Sequence, residues 1–257
     1  MTKKIFITGI SGTIGTILSN SLSTEYDVNG LDSSPDESSD INHQDMTDLD
    51  SCYKLFNGID IVIDLAATTD QFADWEEVYK NNFVATRNSF EAARMAGVKK
   101  VIFASSNHAV GNFELDPPYN KIVQGDYSDI TPGSFKLVDA DCPIRPDGPY
   151  GIGKALGEAI GRYYSDMYGL SVICLRIGTA RSDDTPQNIR HLSTFLFQKD
   201  LINLIKKCID APPELKFGIY YGVSGNKWRF WDIKNAYIDL GYKPTCNAES
   251  FRNKLTK

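Results

Sequence analysis

Lys4-Ile5-Phe6-Ile7-Thr8-Gly9-Ile10-Ser11-Gly12-Thr13-Ile14-Gly15 is the stretch that decides the fold of this chain. Ile5 to Thr8 read as a short apolar strand, and a helix is expected to start near Gly12. The glycines between and after them have separate tasks. Gly9 permits the tight turn that leaves the strand, Gly12 lets backbone approach a pyrophosphate closely, and Gly15 lets the helix pack against the sheet. A pyrophosphate placed there meets the exposed N–H groups and the positive end of the helix. Such a glycine pattern carries weight only between a strand and a helix, which is where it stands here.

The pattern continues outward as strands alternating with helices. A second strand ends in Val28-Asn29-Gly30-Leu31-Asp32, a third covers Ile59 to Leu65, and a fourth covers Lys100 to Ala104. A long helix is expected over Trp75 to Ala96 and another over Tyr150 to Tyr168, followed by a strand from Ser171 to Ile177. This alternation predicts an α/β, Rossmann-type, doubly wound parallel sheet. The Ser/Asp-rich stretch 32–40 reads as an exposed loop. Residues 112–147, rich in Pro, Asp and Gly, read as a long insertion on the catalytic side of the sheet. Beyond lie a helix near Phe195 to Ile209, a strand near Phe217 to Gly222 and a short helix near Trp231 to Leu240. Residues 1–257 are therefore expected to form a single domain. Its core covers about 1–178, and a small interwoven substrate lobe is built mainly from 179–257 plus the insertion 112–147.

Asp32 closes the second strand about 20 residues beyond the glycines. A carboxylate there accepts hydrogen bonds from both ribose hydroxyls and repels a 2′-phosphate, and the neighbouring Ser33 and Ser34 bring no arginine to receive one. NAD is thus expected over NADP. Asp45-Met46 can face the adenine, and Leu65-Ala66-Ala67 put small residues where backbone passes the cofactor. Asn82 can fix backbone geometry from the long helix. The expected cofactor set is Gly9, Ser11, Gly12, Thr13, Ile14, Gly15, Asp32, Ser33, Asp45, Met46, Leu65, Ala66, Ala67, Asn82 and Ile177, joined by Tyr150 and Lys154.

Tyr150-Gly151-Ile152-Gly153-Lys154 places a phenol and an ammonium four residues apart, on one face of a helix. The ammonium is expected to favour the phenolate and bring the tyrosine toward general-base work. Ser105-Ser106-Asn107-His108 ends the fourth strand, on the side where ligands bind in this architecture. Ser106 is the expected holder of the reacting oxygen, with Ser105 in support.

The bulk properties limit the alternatives. The net charge is −6 and no Lys/Arg-rich stripe stands out, so nucleic acid is not an expected partner. The five cysteines, Cys52, Cys142, Cys174, Cys208 and Cys246, have no metal-ligand or disulfide spacing, so neither a metal site nor a disulfide framework is expected. The N-terminal residues lack the pattern of a signal peptide, and no apolar run approaches the roughly 20 residues needed to span a bilayer. A cytoplasmic protein with no membrane association is expected.

TGISGTIG, Asp32, DLAA, SSNHAVG and YGIGK together resemble the extended short-chain dehydrogenase/reductase family, the NAD-dependent epimerases and dehydratases. The resemblance covers the whole chain. It implies a Rossmann core, a Ser106-Tyr150-Lys154 catalytic set and a nicotinamide cofactor whose ribose Lys154 also binds. It further implies a homo-oligomer formed through the helices near 75–96 and 150–168. Asp64 departs from the family, where many members carry His before Leu-Ala-Ala, as does Ala85, where many carry Gly. The short C-terminal part argues for a free sugar over a sugar nucleotide. SSNHAVG, RPDGPYGIGK, LRIGT and RHLSTF are similar to uronate dehydrogenases, which oxidise C1 of a sugar acid to a lactone. That similarity implies sugar contacts from Thr69, Ser106, Asn107, His108, Tyr150 and Thr179, with Arg190 holding the carboxylate. The insertion resembles archaeal relatives that include NAD-dependent glucose-6-phosphate dehydrogenases, for which Arg190, Lys121 and Lys136 are candidate phosphate ligands. His191 and the aromatics Trp228, Phe230 and Trp231 are expected to be structural. An epimerase or dehydratase with tightly held NAD, and a non-catalytic NAD sensor, are the competing readings.

Overall fold

The computed structural model describes residues 2–33 and 42–255. Seven parallel strands form one sheet: β1 Lys4–Thr8, β2 Asp27–Asp32, β3 Asn42–His43, β4 Ile61–Asp64, β5 Lys100–Ser106, β6 Ser171–Ile177 and β7 Phe217–Gly222. Their order is β3-β2-β1-β4-β5-β6-β7. The chain therefore builds outward from β1 in one direction and then resumes from β4 in the other. The crevice where the order reverses is the standard ligand position of such sheets. β4, β5 and β6 are buried along their whole lengths, as expected of parallel strands covered on both faces.

The helices are α1 Thr13–Leu22, α2 Leu49–Phe56, α3 Trp75–Val78, α4 Ala85–Met95, α5 Tyr119–Gln124, α6 Pro149–Tyr168, α7 His191–Thr194, α8 Gln198–Asp210, α9 Lys234–Leu240 and α10 Arg252–Leu255. One apolar core joins α1 and α8 to the sheet through Leu18, Leu22, Ile5, Ile63, Leu201 and Leu204. A second core on the opposite face joins α2, α4 and α6 through Phe56, Phe90, Phe103 and Tyr164. A third lies under the insertion and the C-terminal segment, where Trp228, Phe230 and Trp231 are buried with Tyr119, Val138 and Phe195. Those aromatics are core residues, as expected.

Several boundaries differ from the sequence reading, each for a physical reason. β5 runs to Ser106, because its pairing with β6 continues through Ser105↔Arg176 and Ser106↔Ile177. The helix expected over 75–96 is broken by a π-helical turn, Tyr79–Val84, between α3 and α4. The helix expected from Phe195 begins at Gln198, since Phe195 is extended and bridges to Thr179. The helix expected from Trp231 begins at Lys234, because Trp231 bridges to Val138 of the insertion. The insertion is ordered into a 3-10 segment, Asn107–Leu115, followed by α5. β7 joins the main sheet beside β6, so the sheet core does not stop at residue 178. Most of the expected Ser/Asp-rich loop, residues 34–40, falls outside the described residues. Among the described residues no helix is long and apolar enough to cross a membrane.

Candidate active site

A cavity of about 850 Å³ follows the carboxyl ends of the strands, from the glycine turn to Thr179 and Ala180. Its first end is shaped by backbone. Gly9 has φ +68°, and a Cβ on it would stand 3.2 Å from the Ala66 backbone. A Cβ on Gly15 would stand 2.3 Å from the Gly9 carbonyl oxygen, so α1 can pack this tightly against the turn only with glycine there. No side chain caps α1 at Gly12, which leaves its N-terminus for a ligand anion. Asp32 lines the cavity and accepts a hydrogen bond from the Ser11 amide at 3.1 Å. The cradle and its carboxylate fit a diphosphate followed by a ribose.

Thr8, which the sequence reading passed over, braces the cofactor side. Its hydroxyl accepts from the amides of Leu65 and Ala66, both at 3.1 Å, and donates to buried Asp64 at 2.7 Å. The small residues 65–67 are thereby held against the cavity. Asp45 and Met46 line the same end, where Asp45 pairs with Lys80. Asn82 is buried and does not line the cavity. It grips Thr68 instead, accepting from its amide at 2.8 Å and donating to its carbonyl at 2.9 Å. The π turn that carries Asn82 also presents Asn81, whose amide reaches the Thr68 hydroxyl at 2.9 Å. Ser11 touches the site through its amide alone and is not part of the wall. The other expected cofactor residues, Gly9, Gly12, Thr13, Ile14, Gly15, Asp32, Ser33, Leu65, Ala66, Ala67 and Ile177, all line the cavity.

At the other end Ser106, Asn107, His108, Tyr150, Lys154, Thr69 and Thr179 converge. Tyr150 and Lys154 lie in the first turns of α6, and the Lys154 ammonium stands 5.7 Å from the Tyr150 ring centre and 5.0 Å from that of Phe103. The Ser106 hydroxyl caps the 3-10 segment, accepting from the His108 amide at 3.2 Å. Ser105 also lines the cavity, and its hydroxyl donates a 2.6 Å bond to the Glu158 carboxylate, which ties β5 to α6. Asn107 has a buried side-chain amide nitrogen with no hydrogen-bond partner among the described residues. His108 lies edge-on to Tyr150 at 5.7 Å, with its Nδ1 2.7 Å from the carboxylate of Asp147. Asp147 immediately precedes the Gly-Pro-Tyr entry to α6 and was missed because nothing local marks it as a partner of His108.

The electrostatics correct one expectation. Burial pushes the Tyr150 phenol above its ordinary value; the Ser106 hydroxyl works against this and the Asp147 carboxylate adds to it. Lys154, beside the ring, does not outweigh that burial. Its own ammonium is depressed by burial to about 8, with Asp64 partly offsetting the fall. His191 is buried, accepts from the Gln187 amide, and is held down to about 4 by burial and by Arg190 and Arg181, which fits a structural role.

The expected anion ligands are not brought to the cavity. Arg190 is absent from its wall and forms a two-pronged ion pair with Glu114. Lys121 pairs with Asp129, and Lys136 is exposed.

Comparison with known proteins agrees with this geometry. The family model described as NAD dependent epimerase/dehydratase family matches residues 5–231. The NAD-dependent glucose-6-phosphate dehydrogenase of Haloferax volcanii is 33% identical, over 98% of this chain and 96% of that protein. The uronate dehydrogenase of Pseudomonas putida is also 33% identical, over 97% of this chain and 86% of that protein. A mutant uronate dehydrogenase from Agrobacterium tumefaciens, solved with NAD, superposes with a TM-score of 0.83 at 28% identity, covering 100% of this chain and 89% of that one. With its glycine cradle, strand-end Asp32 and Ser106-Tyr150-Lys154 set in one cavity, the chain belongs to the NAD-dependent epimerase/dehydratase family.

Proposed function

We propose that this chain is an NAD-dependent sugar dehydrogenase that oxidises the C1 hydroxyl of a small free sugar, with sugar acids of the uronate kind as the leading substrate class, to a lactone. The observation that carries this reading is the placement of Ser106, Tyr150 and Lys154 at one end of a cavity whose other end is a dinucleotide cradle. Ser106 holds the C1 oxygen, and the Tyr150 oxygen takes its proton. Lys154 supplies positive charge beside the phenolate that this requires. NAD, when bound, supplies the hydride acceptor. Asn107 and His108 hold the remaining hydroxyls, and Asp147 fixes which His108 nitrogen faces the sugar. A phosphorylated sugar is a second reading, favoured by the nearly full-length match to the Haloferax volcanii protein. The test is NADH formation on free uronates, glucose 6-phosphate, neutral aldoses and UDP-sugars. Absence of net NADH on every free sugar overturns the reading.

Asp32 is expected to exclude NADP. Its carboxylate and a 2′-phosphate would share one place, and close like charges cost several kcal/mol. Wild-type enzyme should prefer NAD by about 100-fold in kcat/KM, and Asp32→Ala should narrow that gap to about tenfold or less. Steady-state kinetics with both cofactors checks this, and an unchanged ratio removes Asp32 as the selector.

The same reading includes a homo-oligomer in the cytoplasm. Trp75, Tyr79 and Met167 on the α3–α6 surface are 57%, 59% and 64% exposed, which is costly apolar area for a monomer. Sedimentation should show a dimer or larger, and Met167→Glu with Trp75→Glu should shift it toward monomer. A monomeric wild type contradicts the assignment.

A further inference from the structure

Asp64 ends β4 as a buried carboxylate, 2% exposed, and immediately precedes the Leu65-Ala66-Ala67 backbone that lines the cavity. Its Oδ1 accepts from the Thr8 hydroxyl at 2.7 Å, and its Oδ2 has no hydrogen-bond partner among the described residues. The ladder pairs Asp64 with Phe103 of β5, and side chains at paired positions share one face of the sheet. That face is the one covered by α4 and α6: a Cβ on Gly157 of α6 would stand 2.2 Å from the Phe103 ring. About one turn earlier on α6, the Lys154 ammonium lies 5.0 Å from the centre of the same ring. Lys154 is 3% exposed. A carboxylate with an unfilled oxygen and an ammonium taken out of water are therefore neighbours of one phenyl ring.

A charge in such a place persists when an opposite charge compensates it and otherwise gives way to the neutral form. Burial drives the Lys154 ammonium down, and Asp64 is the acidic group that opposes the fall. Burial in turn raises the Asp64 carboxyl, and Thr8, Lys154 and Ser89 of α4 oppose that rise. The other titratable groups around them are committed elsewhere. Glu158, four residues on along α6, is paired with Arg176 of β6. Asp147 is bound to His108, and its charge acts on Tyr150. Cys52 of α2 feels the Asp64 charge, but its thiol is pushed up to about 12, chiefly by burial. Tyr150, four residues before Lys154, is itself raised by burial and so brings no negative charge at neutral pH.

We propose that Asp64 is a positioning residue for the reaction: from behind the cofactor wall, its carboxylate keeps the Lys154 ammonium charged in a site that would otherwise neutralise it. Asp64 touches neither sugar nor cofactor and acts through Lys154 alone. Its kinetic consequence rests on the proposed C1 oxidation, in which Lys154 supplies the charge beside the Tyr150 phenolate. The electrostatic link itself belongs to the free enzyme and is measured there. Asp64 is also a position where this chain departs from the many family members that carry His, so the device belongs to this chain's own sequence.

The experiment titrates Lys154 by NMR in the free enzyme labelled with 13C at the lysine ε carbons, its signal identified by its loss in Lys154→Arg. Asp64→Asn removes the charge at nearly constant size and keeps an oxygen for Thr8. Asp64→His removes the negative charge with the residue that many family members place there. Thermal unfolding and NAD calorimetry report that each variant is folded. The Lys154 midpoint should stand near 8 in the wild type and fall by about one pH unit or more in both variants. With the best sugar, the ratio of kcat at pH 8.5 to kcat at pH 6 should fall by about tenfold, because that is the charge lost from Lys154 for a one-unit shift. A midpoint that is unchanged or rises in Asp64→Asn overturns the proposal, as an Asp64 that already carries a proton would produce. So does a fallen midpoint with an unchanged kcat ratio, which would mean that the charge on Lys154 does not serve turnover. A purely structural role would lower kcat equally at both pH values and leave the midpoint in place. If no free sugar yields NADH while the midpoint still falls, C1 oxidation is removed and the hold of Asp64 on Lys154 stands.

Discussion

Tyr150→Phe should bind NAD as the wild type does and lose about a thousandfold of its turnover. The substitution deletes one oxygen and keeps the ring, so the edge contact with His108 and the start of α6 persist. The phosphate cradle at Gly9, Gly12 and Gly15 lies at the other end of the cavity and does not depend on the phenol. What disappears is the hydroxyl that the proposed mechanism uses to take the C1 proton. Calorimetry with NAD and NADH absorbance on the best sugar separate the two effects. Turnover near wild type would remove Tyr150 as the base.

The pH profile follows from the same pair of groups. Burial raises the phenol, so at neutral pH nearly all of it is protonated and the basic form grows about tenfold per pH unit. The ammonium of Lys154 is depressed to about 8, so its support fades above that pH by the same factor that the phenolate gains. Oxidation should therefore climb from pH 6 to about 8 and then flatten, well below the usual tyrosine range. A rate that falls between pH 6 and 8 contradicts this assignment of acid and base.

The parts of the site legible in the sequence are those set by neighbours along the chain. The glycine turn works because Gly9, Gly12 and Gly15 lie within one strand-to-helix connection. Asp32 reaches the cavity because it ends a strand, and Tyr150 and Lys154 reach it together because one helical turn aligns them. Local geometry of this kind needs no knowledge of the tertiary fold. The rest depends on contacts between distant segments. Glu114 and Arg190 are 76 positions apart, and His108 and Asp147 are 39 apart. In each case the acidic partner reads as an ordinary loop or turn residue until the chain has folded. Thr8 is similar: within β1 it is one more strand residue, and its function appears only when the backbone of 65–66 is laid against it. The π turn at Tyr79–Val84 was also hidden, because its apolar spacing passes for an ordinary helix while its purpose is to aim Asn81 and Asn82 together at Thr68. The end of β5 was set two residues short for the same reason, since hydrogen bonding to β6, not composition, carries the strand through Ser106.

Arg176→Met should cost about 3–5 kcal/mol of stability and lower Tm by roughly 10 °C, the largest loss expected from a residue outside the cavity. Arg176 and Glu158 are both almost wholly buried, joined through Nε and Nη2 to the two carboxylate oxygens at 2.8 and 2.9 Å. The Ser105 hydroxyl adds a 2.6 Å bond to the same carboxylate, and Arg176 also reaches the Ala140 carbonyl and the Tyr221 hydroxyl at 3.2 Å. The group thus ties α6, β5, β6, β7 and the insertion together directly beneath Ser106. Removing the guanidinium leaves the carboxylate buried and unpaired, which is the costly event; the attraction itself is largely offset by the desolvation of both ions. The double variant Arg176→Met with Glu158→Leu should therefore recover much of the lost stability, despite leaving Ser105 without its acceptor. Denaturant or thermal unfolding of the two single variants and the double closes the cycle. If the double is as unstable as the sum of the singles, the pair is not what holds this end of the sheet. If it recovers, turnover at low temperature becomes the sharper readout, because Ser106 and Tyr150 can then be displaced only through the lost tether to the insertion.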